Sequence, residues 1–148
     1  MSGGGKTLAT IGYESATQDD VIDRLKRAGV EVLIDVRAVA SSRRAGFSKT
    51  LLSASLNAEG IGYVHLRELG TPKPGRVAAR AGRVGEMQAI FKDHMNEPAA
   101  QLELAKATEI ARGKRAALLC YEAEAAVCHR AILAERICGS LGCEIENL

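Results

Sequence analysis

The sequence predicts one α/β domain: a mainly parallel five-stranded sheet with helices on both faces. Three observations lead there. Short apolar, β-branched runs alternate with amphipathic helical segments along the chain. Two of those runs, Val30 to Val36 (VEVLIDV) and Arg115 to Tyr121 (RAALLCY), are apolar enough to be buried on both sides, as strands of a parallel sheet are. Gly29, Gly60 and Gly113 fall where the intervening helices must stop.

The elements follow in order. Lys6 to Tyr13 reads as a first strand ended by Gly12. Thr17 with Asp20 makes a capping box for a helix with Val21, Ile22 and Leu25 on one face. After the second strand, Ser48 is an N-cap for a short helix with Leu52 and Leu56 one turn apart, and Ile61 to Leu66 is a third strand. Gly70 to Gly85, with two prolines, four glycines and the cations Lys73, Arg76, Arg80 and Arg83, reads as a long mobile basic loop. Met87, Ile90, Phe91 and Met95 recur at helical spacing, and Pro98 opens another helix running to about Arg112. The fourth strand, a helix over roughly Ala126 to Leu141 and an alternating edge strand, Cys143 to Asn147, complete the chain. Residues 1–5 read as a disordered N-terminus. Right-handed crossovers suggest the Rossmann-like order 3-2-1-4-5, which sets the ends of strands 1 and 4 side by side at the switch point where such sheets bind ligands.

Composition narrows the function classes. At 148 residues and 47% hydrophobic the chain is long and apolar enough for a core without disulfides or metal. It carries no apolar run long enough to span a bilayer and no secretory h-region, so a cytoplasmic protein with reduced thiols and no membrane partner is expected. A net charge of +2 argues against wholesale nucleic-acid binding. The positive charge is local: no acid falls between Val36 and Leu56, around Arg37, Arg43, Arg44 and Lys49, nor between Thr71 and Gly85.

The carboxyl ends of the strands gather the candidate site. Strand 1 delivers Tyr13 and Glu14; strand 2 delivers Asp35 and Arg37, followed by the loop of Arg43 and Arg44; strand 3 brings His65; strand 4 brings Cys120 and Glu122. Cys128, His129 and Arg130 then start the last helix. A thiol there lies near the positive helix end and two basic side chains, conditions that favour a thiolate and also suit a bound anion. Cys128 is accordingly the candidate nucleophile, with His129 or His65 as acid–base partner; packing as a small buried hydrophobe is the alternative. Cys120 reads as core. Arg37, Arg43, Arg44 and Arg130, with Tyr13, would hold an anion, and Asp35, Glu14 and Glu122 would orient the arginines by pairing with them. The cysteine spacing does not match the paired Cys-x2–4-Cys of structural zinc sites, so neither metal nor cofactor is expected. Gly5-Lys6-Thr7 imitates the end of a phosphate-binding loop but precedes the first strand instead of following one.

Thr10-Ile11-Gly12-Tyr13-Glu14, Asp35-Val36-Arg37, Ser42 to Lys49, Tyr63-Val64-His65-Leu66 through Leu69-Gly70, Leu119-Cys120-Tyr121-Glu122 and Cys128-His129-Arg130 follow one another in an order that resembles the domain of unknown function 488 family. The resemblance runs over nearly the whole chain. It implies a small α/β fold and brings no activity with it. It also implies prolines where Ala40 and Ala45 stand here, hence a less rigid arginine loop in this chain. Two functions are expected on these grounds. The first is an enzyme acting on an anionic, phosphorylated or nucleotide-like small molecule; the second is a non-catalytic module that binds an anion or nucleic acid.

Overall fold

The computed structural model describes residues 6–148; the expected disordered N-terminus, residues 1–5, lies outside the described residues. The chain is a single-domain α/β fold with five parallel strands, β1 (Thr7–Gly12), β2 (Val32–Asp35), β3 (Gly62–His65), β4 (Ala116–Cys120) and β5 (Glu144–Asn147). The helices are α1 (Gln18–Arg27), α2 (Lys49–Ala58), α3 (Lys73–Arg80), α4 (Val84–His94), α5 (Pro98–Gly113) and α6 (His129–Leu141). The Thr17–Asp20 capping box forms as expected: the Asp20 amide donates to Thr17 Oγ1 and the Thr17 amide donates to Asp20 Oδ2, each at 3.1 Å.

Strand side chains alternate between two cores. Ala9, Ile11, Leu33, Ala117 and Leu119 pack under α1 and α2 with Val21, Leu25, Leu52 and Leu56. Leu8, Val32, Ile34, Leu118 and Cys120 face the other way, toward Met87, Phe91, Ala107 and Leu133 of α4, α5 and α6. No helix among the described residues is long and apolar enough to cross a membrane.

Two expectations change. The sheet order is 3-2-4-1-5, with β4 inserted between β2 and β1, instead of 3-2-1-4-5. Both orders obey right-handed crossover. A crossover helix is about 10 Å wide, close to two strand spacings, so α1 spans a skipped position comfortably, and the linear sequence holds no signal for whether it does. The stretch 70–85 also folds further than a loop. It holds the helix Lys73–Arg80, with Pro72 before it and Pro74 in its first turn, where a missing N–H leaves no bond unmade, and a 3₁₀ turn, Arg67–Leu69, leads into it. Helix α3 is anchored by Ala78, buried in the same core as Met87 and Phe91.

The insertion of β4 matters for everything that follows. It puts Cys120, the last residue of β4, at the centre of the sheet's carboxyl edge, in register with Gly12 of β1 on one side. On the other side Leu119 pairs with Asp35 of β2. The connections from β1 and β2 run over the α1/α2 face, while β4 leads into α6 on the opposite face, so the chain parts at β4 and leaves a crevice there.

Candidate functional site

A cavity of about 420 Å³ opens at this edge. Its wall is supplied by Tyr13 after β1, Arg37 to Val39 after β2, Thr71, Arg76 and Arg80 around α3, Met87 of α4, Cys120 to Glu122 after β4, and His129 of α6. Two close approaches shape it. A Cβ on Gly12 would lie 1.7 Å from the Glu122 carbonyl oxygen and 2.9 Å from an Arg130 guanidinium nitrogen, so only glycine lets β1 come this near the end of β4. A Cβ on Gly70 would lie 2.1 Å from the Ala38 amide, so glycine is again what lets the chains leaving β2 and β3 meet beneath the cavity.

The expected residues differ in what holds them. Arg37 is a brace. Its Nε and Nη2 donate to the two carboxylate oxygens of Asp35 at 2.9 and 2.7 Å, and its Nη1 donates to Tyr13 Oη at 3.1 Å and to the Phe47 carbonyl at 2.7 Å. Burial works against the Arg37 charge, but the Asp35 hydrogen bonds and charge outweigh it and raise the pKa above its ordinary value. Asp35 also accepts from the Tyr63 hydroxyl; burial, and then that bond, keep the phenol protonated well past its ordinary range. Arg44 donates to the carbonyls of Glu14 and Ala16, tying its loop to the chain beyond β1. The Glu14 carboxylate accepts from the Ala123 amide at 3.1 Å. A nitrogen of His65, Nε2, sits 2.7 Å from the Arg37 carbonyl, so this histidine braces the β2–β3 edge and does not reach the cavity wall. Arg43 is exposed and is not part of that wall either. Tyr13 stacks on Phe47 at 4.3 Å and meets the edge of Tyr121 at 5.4 Å, so the rim aromatics hold one another.

Arg130, which is not part of the wall, is held differently. Arg130 is 0% exposed, and no carboxylate is hydrogen-bonded to it. Its Nη1 donates to the Cys120 sulfur at 3.1 Å and to the Glu122 carbonyl, and its Nη2 donates to the Ala123 carbonyl at 3.1 Å. Its Nε has no partner, the one such buried side-chain atom among the described residues. None of the three carboxylates expected to pair with the arginines is hydrogen-bonded to Arg130; the Glu122 carboxylate lies 3.7 Å from the Cys120 sulfur. Burial raises the Glu122 pKa and lowers that of Arg130, and the charge of each only partly offsets the effect on the other.

The cysteines come together in two pairs, Cys120 with Cys128 and Cys138 with Cys143, each with sulfurs in bonding contact, where compartment reasoning leaves four separate thiols. Cys128 is the N-cap of α6, not a residue of its first turn, and is buried behind the wall. Cys120 borders the cavity while staying buried in the core to which the sequence assigns it. The insertion of β4 into the middle of the sheet is why a core residue also borders the cavity. His129 is buried with Nδ1 3.5 Å from the Cys128 sulfur and Nε2 2.8 Å from the Val36 carbonyl. Burial pushes its pKa down to about 4, so the imidazole is neutral at pH 7. One nitrogen then donates to Val36 and the other turns a lone pair toward the sulfurs. Ligand atoms of Cys120, Cys128 and His129 all lie within 4.8 Å of one another, a donor set that paired-cysteine spacing rules miss because β4 and α6 supply it from two elements.

Sequence reasoning gives the basic loop of Arg76 and Arg80 a role as a lid or as phosphate contacts without naming either among the site residues. They stand four apart on α3 and therefore on one face, and both line the cavity. Arg76 donates to the Thr71 carbonyl at 2.9 Å, and among the described residues neither guanidinium has a carboxylate within ion-pair distance. The signal was present as an acid-free run of cations at helical spacing, hidden by the prolines and glycines around it.

No curated protein and no solved structure matches the chain. A family profile, described as Domain of unknown function DUF488, matches residues 17–137, from the N-cap of α1 to within α6, and so takes in β2, β3, β4 and every residue of the sulfur–imidazole–guanidinium cluster. Matched over more than two thirds of its length, the chain belongs to the DUF488 family.

Proposed function

We propose that the chain is an enzyme acting on an anionic small molecule, phosphorylated or nucleotide-like, bound in the cavity at the carboxyl edge. The observation that carries this reading is one cavity with two chemistries in its wall. Arg76 and Arg80 bring guanidiniums with no acid partner, and Cys120 and His129 bring a sulfur and a neutral imidazole backed by the buried cation Arg130. Guanidiniums free of carboxylates suit an anion's oxygens, and a cavity of about 420 Å³ is in the range that small-molecule sites occupy. The anionic end belongs on α3 and the reacting end against Cys120, with the Tyr121 and Tyr13 rings flanking it. Compared with the expectation from sequence, Arg37 and Arg44 hold the frame, while recognition passes to Arg76 and Arg80.

The test is ligand-dependent stabilisation. Inorganic phosphate, pyrophosphate and a nucleoside diphosphate are titrated against thermal unfolding of the wild-type chain and of the Arg76→Ala/Arg80→Ala double variant. A ligand at about 100 times its Kd stabilises by about 2.7 kcal/mol, a readily measured rise in Tm. The expected result is a rise in wild type that the double variant loses. Equal rises in both, or none in either, would overturn the assignment of the anion to α3. The reading as a nucleic-acid module is separated by salt: phosphate contacts to a nucleic acid weaken steeply with added salt, and flat dependence discards it.

A further inference from the structure

We propose that Cys120, Cys128 and His129 bind a divalent metal ion of the zinc class when the cysteines are reduced, leaving the fourth coordination position turned to the cavity. The proposal deepens the enzymatic reading, since it states what the sulfur cluster is for.

Four features point to a metal rather than to a structural crosslink. First, the Cα atoms of Cys120 and Cys128 are 7.5 Å apart, whereas disulfides close without backbone movement when the Cα atoms are about 4.4–6.8 Å apart. Cys138 and Cys143, at 4.5 Å, fall inside that span. Two cysteines whose backbones stand wider apart than an ordinary disulfide's leave room, once reduced, for a shared ion between their thiolates. Second, a third donor is aimed at the same point. His129 sits with Nδ1 3.5 Å from the Cys128 sulfur, while Nε2 is fixed by the Val36 carbonyl at 2.8 Å. An imidazole that gives its far N–H to a backbone carbonyl and its near lone pair to a cluster is the arrangement of a ligating histidine. Third, the cluster has an outer contact, the Arg130 N–H donating to the Cys120 sulfur at 3.1 Å, of the kind that steadies a ligating thiolate. Fourth, the charges add up. Two thiolates balance a divalent ion, leaving the buried Arg130 and the Glu122 carboxylate, 3.7 Å from the Cys120 sulfur, to offset each other.

Two sulfurs and one imidazole favour a soft, tetrahedral ion such as Zn²⁺ over the oxygen-seeking Mg²⁺ or Ca²⁺. Three protein ligands with a fourth position open is the pattern of a catalytic zinc site, in contrast to the closed four-ligand structural one. Cys120 and His129 both reach the cavity wall and Cys128 lies behind it, so the open position faces the cavity, where the Glu122 carboxylate also stands.

The test uses the full chain, purified and kept under a non-chelating reductant, with Co²⁺ as the probe and Zn²⁺ as competitor. The expected result is one equivalent of Co²⁺ giving intense thiolate-to-cobalt charge transfer and tetrahedral visible bands, both abolished by one equivalent of Zn²⁺. Cys120→Ser, Cys128→Ser and His129→Ala should each weaken Zn²⁺ binding by at least about 100-fold, because loss of an outer contact alone costs up to that much. Cys138→Ser should leave the spectrum unchanged. No charge-transfer band in the reduced wild-type chain overturns the proposal, and this reading stands even if the variants fail to fold. A band that survives in Cys120→Ser and Cys128→Ser overturns it as well. The Arg76→Ala/Arg80→Ala variant keeps the cobalt spectrum under this proposal. Anion binding without a cobalt site would sink only the metal; a cobalt site without anion binding would sink only the function proposed above.

Discussion

Two arginines are buried at the same edge of the sheet, and they are held in opposite ways. Arg37 faces Asp35 through two charge-assisted hydrogen bonds and has every nitrogen occupied by the fold. Arg130 is just as buried, yet its partners are two carbonyls and a sulfur, and one nitrogen has none. A guanidinium stays charged inside a protein, and an uncompensated charge there is costly. Arg37 has its counter-charge built into the frame. Arg130 has no carboxylate hydrogen-bonded to it; under the proposals above, a thiolate or an anion admitted to the cavity would supply its counter-charge. The difference separates scaffold from candidate site along one sheet edge.

Breaking the Arg37 side should do the most damage. Asp35→Asn leaves Arg37 buried without its carboxylate and Tyr63 without its charged acceptor, and should cost about 3–5 kcal/mol in urea denaturation. Gly12→Ala comes next: a methyl 1.7 Å from the Glu122 carbonyl oxygen must push β1 away from β4 and disturb Arg130, for about 3 kcal/mol by the same measurement. Arg130→Met should cost less, about 1–3 kcal/mol, because it strands two carbonyls and a sulfur but no opposite charge. If Arg130→Met proved as damaging as Asp35→Asn, the contrast between the two arginines would collapse. The smallest effect belongs to Arg76→Ala with Arg80→Ala. These side chains carry no ion pair, so stability should stay within about 0.5 kcal/mol of wild type while phosphate-dependent stabilisation disappears.

Much of the architecture is legible in local pattern. The Thr17–Asp20 box, the doubly buried Val32–Asp35 and Ala116–Cys120 segments and the Met87–Phe91 stripe are short-range signals, and the structure places each where its period and caps put it. Carboxyl-edge convergence was also readable, because parallel strands joined by crossovers all end on the same side. Helix α3 was obscured because prolines and glycines speak for loops until burial of Ala78 outweighs them.

What the sequence determined alone is therefore the parallel α/β class, the caps and the edge at which the polar residues collect, all properties of neighbours a few residues apart. Tertiary structure decided the rest. It set β4 between β2 and β1, placed the buried Cys120 at the cavity's edge and Cys128 behind it, and gave Arg37 an acid while leaving Arg130 without one in hydrogen-bonding contact. It also brought two arginines of α3 to face them. Each of these depends on which strand the crossover skips and on what packs across more than eighty residues of chain between β2 and α6. Crossover handedness limits that choice, but the long-range packing energy makes it.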